Sequence, residues 1–135
     1  MSKELILSPR SERVREELAD AGAWGSYASE LRQVLGAAIE KSGVGFLEVG
    51  ELLVSEPLSD RHLGLYNGAE VQSPQAIDLV KGMAAGRWPY CQLSIRGRLQ
   101  IESGWDGAVH IYTTRAVAAD LAGIHCQPYS DCLRT

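Results

Sequence analysis

The chain has 135 residues, of which 45% are hydrophobic and 22% charged, values of one ordinary globular domain rather than a disordered, fibrous or membrane chain. A chain of this length buries roughly 68% of the surface it exposes when unfolded, so its core needs neither disulfide nor metal support. With 13 basic against 17 acidic side chains the formal net charge is −4, which argues against a direct nucleic-acid partner, because phosphate binding needs a surplus of Lys and Arg.

In chain order, Ser8 and Pro9 offer a cap and a preorganised first helical position, and Val14, Leu18 and Ala21 recur at helical spacing until Gly22. A first helix is expected over about residues 9–21. After a break at Gly25, Ser26 can cap a second helix whose stripe is Tyr27, Leu31, Val34, Leu35, Ala38 and Ile39, ending near Gly43. Val44 to Val54 reads as a strand, broken or bulged at Gly50. A short strand is expected from Leu63 to Tyr66, with a turn at Asn67-Gly68. Ser73-Pro74 repeats the cap-then-proline signal and opens a third helix with Ile77, Val80 and Met83, which stops at Gly86.

From Trp88 the period changes to two. Cys91, Leu93, Ile95, Leu99 and Ile101 share one parity, and Gln92, Ser94, Arg96, Arg98, Gln100 and Glu102 the other. The pattern predicts one long strand that bends at Gly97. Ser103 to Gly107 forms a turn with the Asp106-Gly107 hairpin chemistry, and Ala108 to Thr113 returns with Val109 and Ile111 inward. Thr113 or Thr114 caps a last helix carrying Val117 and Leu121, ended by Gly123. These elements describe an α+β, two-layer fold in which an antiparallel β-sheet with a long hairpin packs against about four helices. Residues 1–123 form the single domain, and residues 124–135 are expected as an aperiodic C-terminal tail.

Targeting signals are not evident. The N-terminal apolar core, Met1 with Leu5, Ile6 and Leu7, is four residues interrupted by charge, too short for a secretory leader, and no run of about 18 apolar residues is available to span a bilayer. Cys91, Cys126 and Cys132 are an odd number of thiols, expected to be reduced in a cytoplasmic protein.

Catalytic signatures are missing from the sequence: there is no Gly-rich phosphate loop, no Gly-x-Ser-x-Gly elbow and no histidine pair at zinc-hydrolase spacing. Cys91 and His110 have opposite strand parity, which places them on opposite sides of the sheet and disfavours a Cys-His dyad. His125, Cys126 and Cys132 lack a fourth ligand and the usual ligand spacing of a zinc site, so neither metal nor cofactor is expected.

The charge is unevenly divided. Residues 1–41 hold 6 basic and 7 acidic side chains, residues 42–80 hold 1 and 6, and residues 81–135 hold 6 and 4, giving −1, −5 and +2. The middle third, with Glu48, Glu51, Glu56, Asp60, Glu70 and Asp78 against Arg61 alone, carries the acidity. Such a segment is either a solvated surface or a docking surface for a basic partner, whose approach a concentrated negative field accelerates. Trp105 stands in the predicted hairpin tip between Gly104 and Asp106, where indole either folds back over the sheet edge or anchors an interface. Tyr112 and His110 share the polar parity of the returning strand.

A small acidic α+β chain with these features resembles the immunity proteins of bacterial toxin systems. The resemblance runs through residues 88–122, from Trp88-Pro89 through Gly104-Trp105-Asp106-Gly107 to the helix after Thr113-Thr114, about a quarter of the chain. It implies stoichiometric binding to a cognate, basic toxin domain whose active site is occluded. Independently of the resemblance, charge and expected exposure single out Glu48, Glu51, Glu56, Asp60, Glu102, Trp105, Asp106 and Tyr112 as partner-binding candidates, with no catalytic residue. Two other readings stand beside it: a small-molecule or enzymatic site between the sheet and the second helix, drawing on His62, Tyr66, Tyr90 and Arg96, and a subunit of a homo-oligomer, which fits the same exposed aromatics.

Overall fold

The structure, a computed structural model, describes residues 3–9, 21–43, 45–53, 64–86, 89–103, 107–124 and 130–134. These form strands β1 (Lys3–Pro9), β2 (Phe46–Leu53), β3 (Glu70–Gln72), β4 (Tyr90–Ile95), β5 (Leu99–Ser103), β6 (Val109–Thr113) and β7 (Ser130–Arg134). The helices are α1 (Ala21–Lys41), between β1 and β2, α2 (Ser73–Ala84), between β3 and β4, and α3 (Arg115–Ile124), between β6 and β7. All strands join one sheet in the order β3-β2-β4-β5-β6-β1-β7, and every neighbouring pair is antiparallel. The α+β class follows directly. Three helices lie among the described residues, where about four were expected.

The alternation of neighbours gives the fold its plan. Because β3 and β4 both run against β2, they are parallel to each other, and the connection through α2 straddles β2. In the same way α3 links β6 to β7 across β1. Two split βαβ units therefore stand at the two ends of the sheet. Helix α1 packs on both other helices, which makes the helices one layer.

Period-two patterning decides which sheet face that layer covers. Leu5, Leu7, Leu47, Val49, Val71, Leu93, Ile101, Val109 and Ile111 are buried beneath the helices, together with Tyr27, Leu31, Leu35 and Ala38 from the α1 stripe. Each fully buried large aliphatic side chain contributes roughly 1.5–3 kcal/mol, so the sheet and α1 hold each other in place. The stripe predicted for the second helix is thus the central spine of the core. The Tyr27 hydroxyl crosses to the start of β6 and donates to the Gly107 carbonyl.

Several expected elements differ. Ser8 and Pro9 end strand β1 instead of opening a helix, because Leu5 and Leu7 alternate with Glu4 and Ile6 and pair with both β6 and β7. Residues 10–20 of that predicted helix lie outside the described residues. Helix α1 begins at Ala21 and runs through Gly25, so Gly25 and Ser26 do not break or cap it. Leu65 and Tyr66 are not in a strand. The strand in this region is β3, which follows the Asn67-Gly68 turn. Helix α2 takes Ser73 as its first residue, with Pro74 in its first turn and Gln72 at the cap.

The single long strand expected after Trp88 is two strands. Gly97 adopts φ +73°, a left-handed conformation that favours glycine, and Arg96–Arg98 turn the chain so that Ile95 pairs with Leu99. A three-residue loop joins residues four apart and therefore preserves their parity, which is why the alternation reads continuously through a reversal. The turn is tied down: the Thr113 hydroxyl donates to the Arg98 carbonyl at 2.9 Å, and Arg98 Nη1 donates to the Ser42 carbonyl just beyond α1 at 3.2 Å. The expected long hairpin is thus a β4-β5-β6 meander. Thr114 caps α3 as expected, accepting from the Val117 amide at 3.4 Å. The segment expected as an aperiodic tail supplies the outermost strand β7, whose Cys132 pairs in register with Leu7.

Candidate protein-docking face

The helices cover one face of the sheet; the opposite face carries the other parity of every strand. One cross-strand row reads Glu70, Glu48, Ser94, Gln100, Tyr112 and Glu4, each in register with the next. Beside it, Gly50 pairs with Gln92, and Glu102 with His110 and then Ile6. Among the described residues no strand position on this face is Lys or Arg. Among the residues whose side chains the structure describes, five carboxylates, those of Glu4, Glu48, Glu51, Glu70 and Glu102, share it.

Glu51 reaches this face through a bulge. Its odd parity matches the buried Leu47 and Val49, so an unbroken strand would point it into the core. One extra residue is inserted in β2 between the Gly50–Gln92 and Leu53–Tyr90 pairs, and Glu51 takes φ +48°. That left-handed conformation costs a non-glycine residue about 1–2 kcal/mol. In return the inward side is given to Leu52, which packs against the core, and the Glu51 carboxylate accepts from Gln92 Nε2 at 3.1 Å. The expected bulge at Gly50 is therefore present and has a consequence for the charge of the surface.

The Asn67-Gly68 turn supports the bulge. Asn67 Oδ1 accepts from the Leu52 amide at 2.8 Å, and the Gly68 amide donates to the Val49 carbonyl at 2.7 Å. Asn67→Ala is expected to cost about 0.5–1 kcal/mol, the net worth of an exposed hydrogen bond, and to speed exchange of the Leu52 amide relative to Leu93. Site-resolved hydrogen exchange checks this; equal protection at Leu52 in both proteins would show that the bulge stands without the turn.

The centre of the face is a connected polar network. Gln92 Nε2 donates to Glu102 as well as to Glu51, and Gln100 Nε2 donates to the same Glu102 oxygen at 2.9 Å. Glu4 Oε2 lies 2.9 Å from His110 Nδ1; an ionised carboxylate only accepts, so that nitrogen carries the proton. The Tyr112 phenol also donates to Glu4. This hydrogen bond, with burial and the negative charges of Glu4 and Glu102, pushes its pKa up to about 12. The unfolded chain ionises near pH 10, so the neutral phenol's contribution to stability is complete below that pH and is lost as pH rises toward 12. Glu4→Gln is expected to move the Tyr112 midpoint back toward 10, read from the NMR titration of its ring carbon.

The predicted partner-binding residues divide into two groups. Glu48, Glu51, Glu102 and Tyr112 come together on the open face. Glu56, Asp60, Trp105 and Asp106 lie outside the described residues, as do His62, His125 and Cys126. Glu70 joins the face from the acidic middle segment, and Glu4, Gln92 and Gln100 join it without having been singled out as partner-binding candidates, although each has the parity of a polar neighbour. Among the described residues no group of three or more His, Cys, Asp or Glu side chains is arranged to hold a metal ion, and no helix is long and apolar enough to cross a membrane.

Cys91 is buried on the helix side, its thiol pushed up to about 11 by desolvation, while His110 is half-buried on the open face. The expected separation of these two residues holds. Tyr66 and Arg96 are exposed, and the space between the sheet and α1 is filled by the apolar core. No family model, curated protein or solved structure matches the chain.

Proposed function

We propose that this protein is an immunity protein, which binds a cognate basic toxin domain through the open face of its sheet and occludes the toxin's active site. The observation that carries the reading is the gathering of five carboxylates on one sheet face with no Lys or Arg at the described strand positions between them. A field of one sign steers an oppositely charged partner and rejects acidic competitors. Carboxylates spread over a rigid sheet also imitate the phosphate charges that a nucleic-acid-processing enzyme is built to hold. Direct nucleic-acid binding is disfavoured by the same charge, and the proposed site of action is the cytoplasm.

The network supports this reading in a second way. Gln92 and Gln100 hold the Glu102 carboxylate, and His110 and Tyr112 hold Glu4, so these side chains lose little rotamer freedom on binding. Glu48 and Glu70 stand directly opposite each other across β2 and β3, an arrangement that opposes folding. Local violations of this kind on an otherwise consistent sheet fall preferentially at functional sites.

The test is to identify whether a neighbouring gene encodes a secreted toxin and, with the C-terminal domain of such a toxin, to measure co-purification and growth rescue on co-expression. Replacing Glu48, Glu51 and Glu102 together by Lys is expected to abolish rescue, to slow association at least tenfold at low salt and to remove most of its salt dependence. Full rescue by a folded triple variant would rule out this face as the interface.

A further inference from the structure

The large hydrophobic side chains that are well exposed among the described residues are Phe46 at 46%, Leu53 at 61% and Tyr66 at 62%. All three belong to one place. Phe46 and Leu53 are the two ends of β2, and Tyr66 precedes the turn that hydrogen-bonds onto β2. Phe46 shares the outward parity of Glu48, and Leu53 lies opposite Tyr90, which has the parity of Gln92 and Ser94. Along the open face β2 therefore presents an apolar end, two carboxylates and a second apolar end. At about 3.3 Å per residue the two anchors are roughly 20 Å apart, somewhat closer than in a regular strand because of the bulge.

We infer that this ridge is the energetic centre of the docking face, and that it receives a basic amphipathic segment of the partner with apolar side chains at its ends and Lys or Arg between. This rests on the proposed function and sharpens it by naming the partner's chemistry. Charge complementarity selects the occupant. A second copy of the chain would bring Glu48, Glu51 and Glu70 against the same acidic face, so self-association here is opposed by like charges. A purely cationic partner would leave Phe46 and Leu53 in water. Apolar and aromatic anchors concentrate the binding energy of most interfaces, with nearby charges setting rate and register. The ridge places apolar anchors on β2, in addition to the Trp105 expected at the hairpin tip, which lies outside the described residues.

The probe is a synthetic helical peptide of about 14 residues, long enough to span roughly 20 Å, with Leu at both ends and Lys and Arg between. Its comparator is an oligolysine of equal charge, and both are titrated into the isotopically labelled full chain. Amide shifts are expected to centre on Phe46–Leu53 and Glu70 for the amphipathic peptide. Phe46→Ser with Leu53→Ser is expected to weaken it at least tenfold and to leave oligolysine binding unchanged. Leu53→Gln alone, at the more exposed position, gives the same direction if the double variant does not fold. Equal binding of the two peptides, or no loss in these variants, overturns the inference. With the cognate toxin domain in hand, loss of binding on charge reversal but not on removal of Phe46 and Leu53 would sink the ridge and leave the immunity reading standing; indifference to both sets of changes would sink both.

Discussion

Tyr27→Ala is expected to destabilise the protein by about 3–5 kcal/mol, the usual consequence of emptying a large aromatic site in a packed core. Against a typical stability of about 5–15 kcal/mol, that leaves a substantial unfolded population or none of the native state at all. Tyr27 sits fully buried on α1, the helix that packs on both of its neighbours, and its hydroxyl is donated to the Gly107 carbonyl where the chain enters β6. Tyr27→Phe keeps the ring and removes the hydroxyl that donates to Gly107. A buried carbonyl left without its donor costs about 1–3 kcal/mol, so the two variants should differ clearly in denaturation midpoint. Phe at this position should also loosen the β5–β6 connection locally, seen as faster exchange at Ala108 and Val109 with Leu93 unchanged. If Tyr27→Phe is as damaging as Tyr27→Ala, the hydroxyl and not the ring is the spine's principal contribution.

The same residue shows what the sequence could and could not convey. The α1 stripe was legible because helical periodicity is a local property and each of its members is apolar. The contact from Tyr27 to Gly107 spans 80 positions and leaves no local trace. The alternation from Cys91 to Ile101 identified both sheet faces correctly yet hid the reversal at Gly97, because a three-residue loop between residues four apart does not disturb parity. Ser8-Pro9 carried a valid helix-start signal that tertiary pairing overrode: β1 is held between β6 and β7, and Pro9, having no amide hydrogen to donate, falls at its last position. The acidic middle third was visible as composition. That its Glu48, Glu51 and Glu70 share a face with Glu102, Tyr112 and Glu4 follows from the strand order β3-β2-β4-β5-β6-β1, which no spacing rule supplies. Glu51 would have been assigned to the core by parity alone, and only the bulge turns it outward.

Glu48→Lys is expected to stabilise the fold while weakening the proposed interaction, and the opposite signs are what give the substitution its value. In the native chain Glu48 and Glu70 are exposed cross-strand partners, a like-charge pair that costs stability in proportion to its proximity. Lysine at position 48 converts repulsion to attraction. Cross-strand pairs of this kind are worth about 0.2–1 kcal/mol, which for a domain of this size raises the thermal midpoint by a few degrees at low salt. The gain should shrink as salt approaches 1 M, where the screening length falls to about 3 Å. Glu70→Lys alone should give a similar gain, and the two together should return stability toward the native value, because two lysines repel as two glutamates do. The double-mutant cycle isolates that coupling from the separate effects of each substitution. Binding should follow a different rule. Each lysine removes one negative charge and adds one positive charge to the docking face, so association with a basic partner should slow at every step of the series, about tenfold or more for the double variant at low salt. A purely solvating acidic surface predicts the stability cycle without any change in binding. A face kept acidic for a basic partner predicts that the most weakly binding variant, with both lysines, is no more stable than the native chain, and that each single variant is more stable than either.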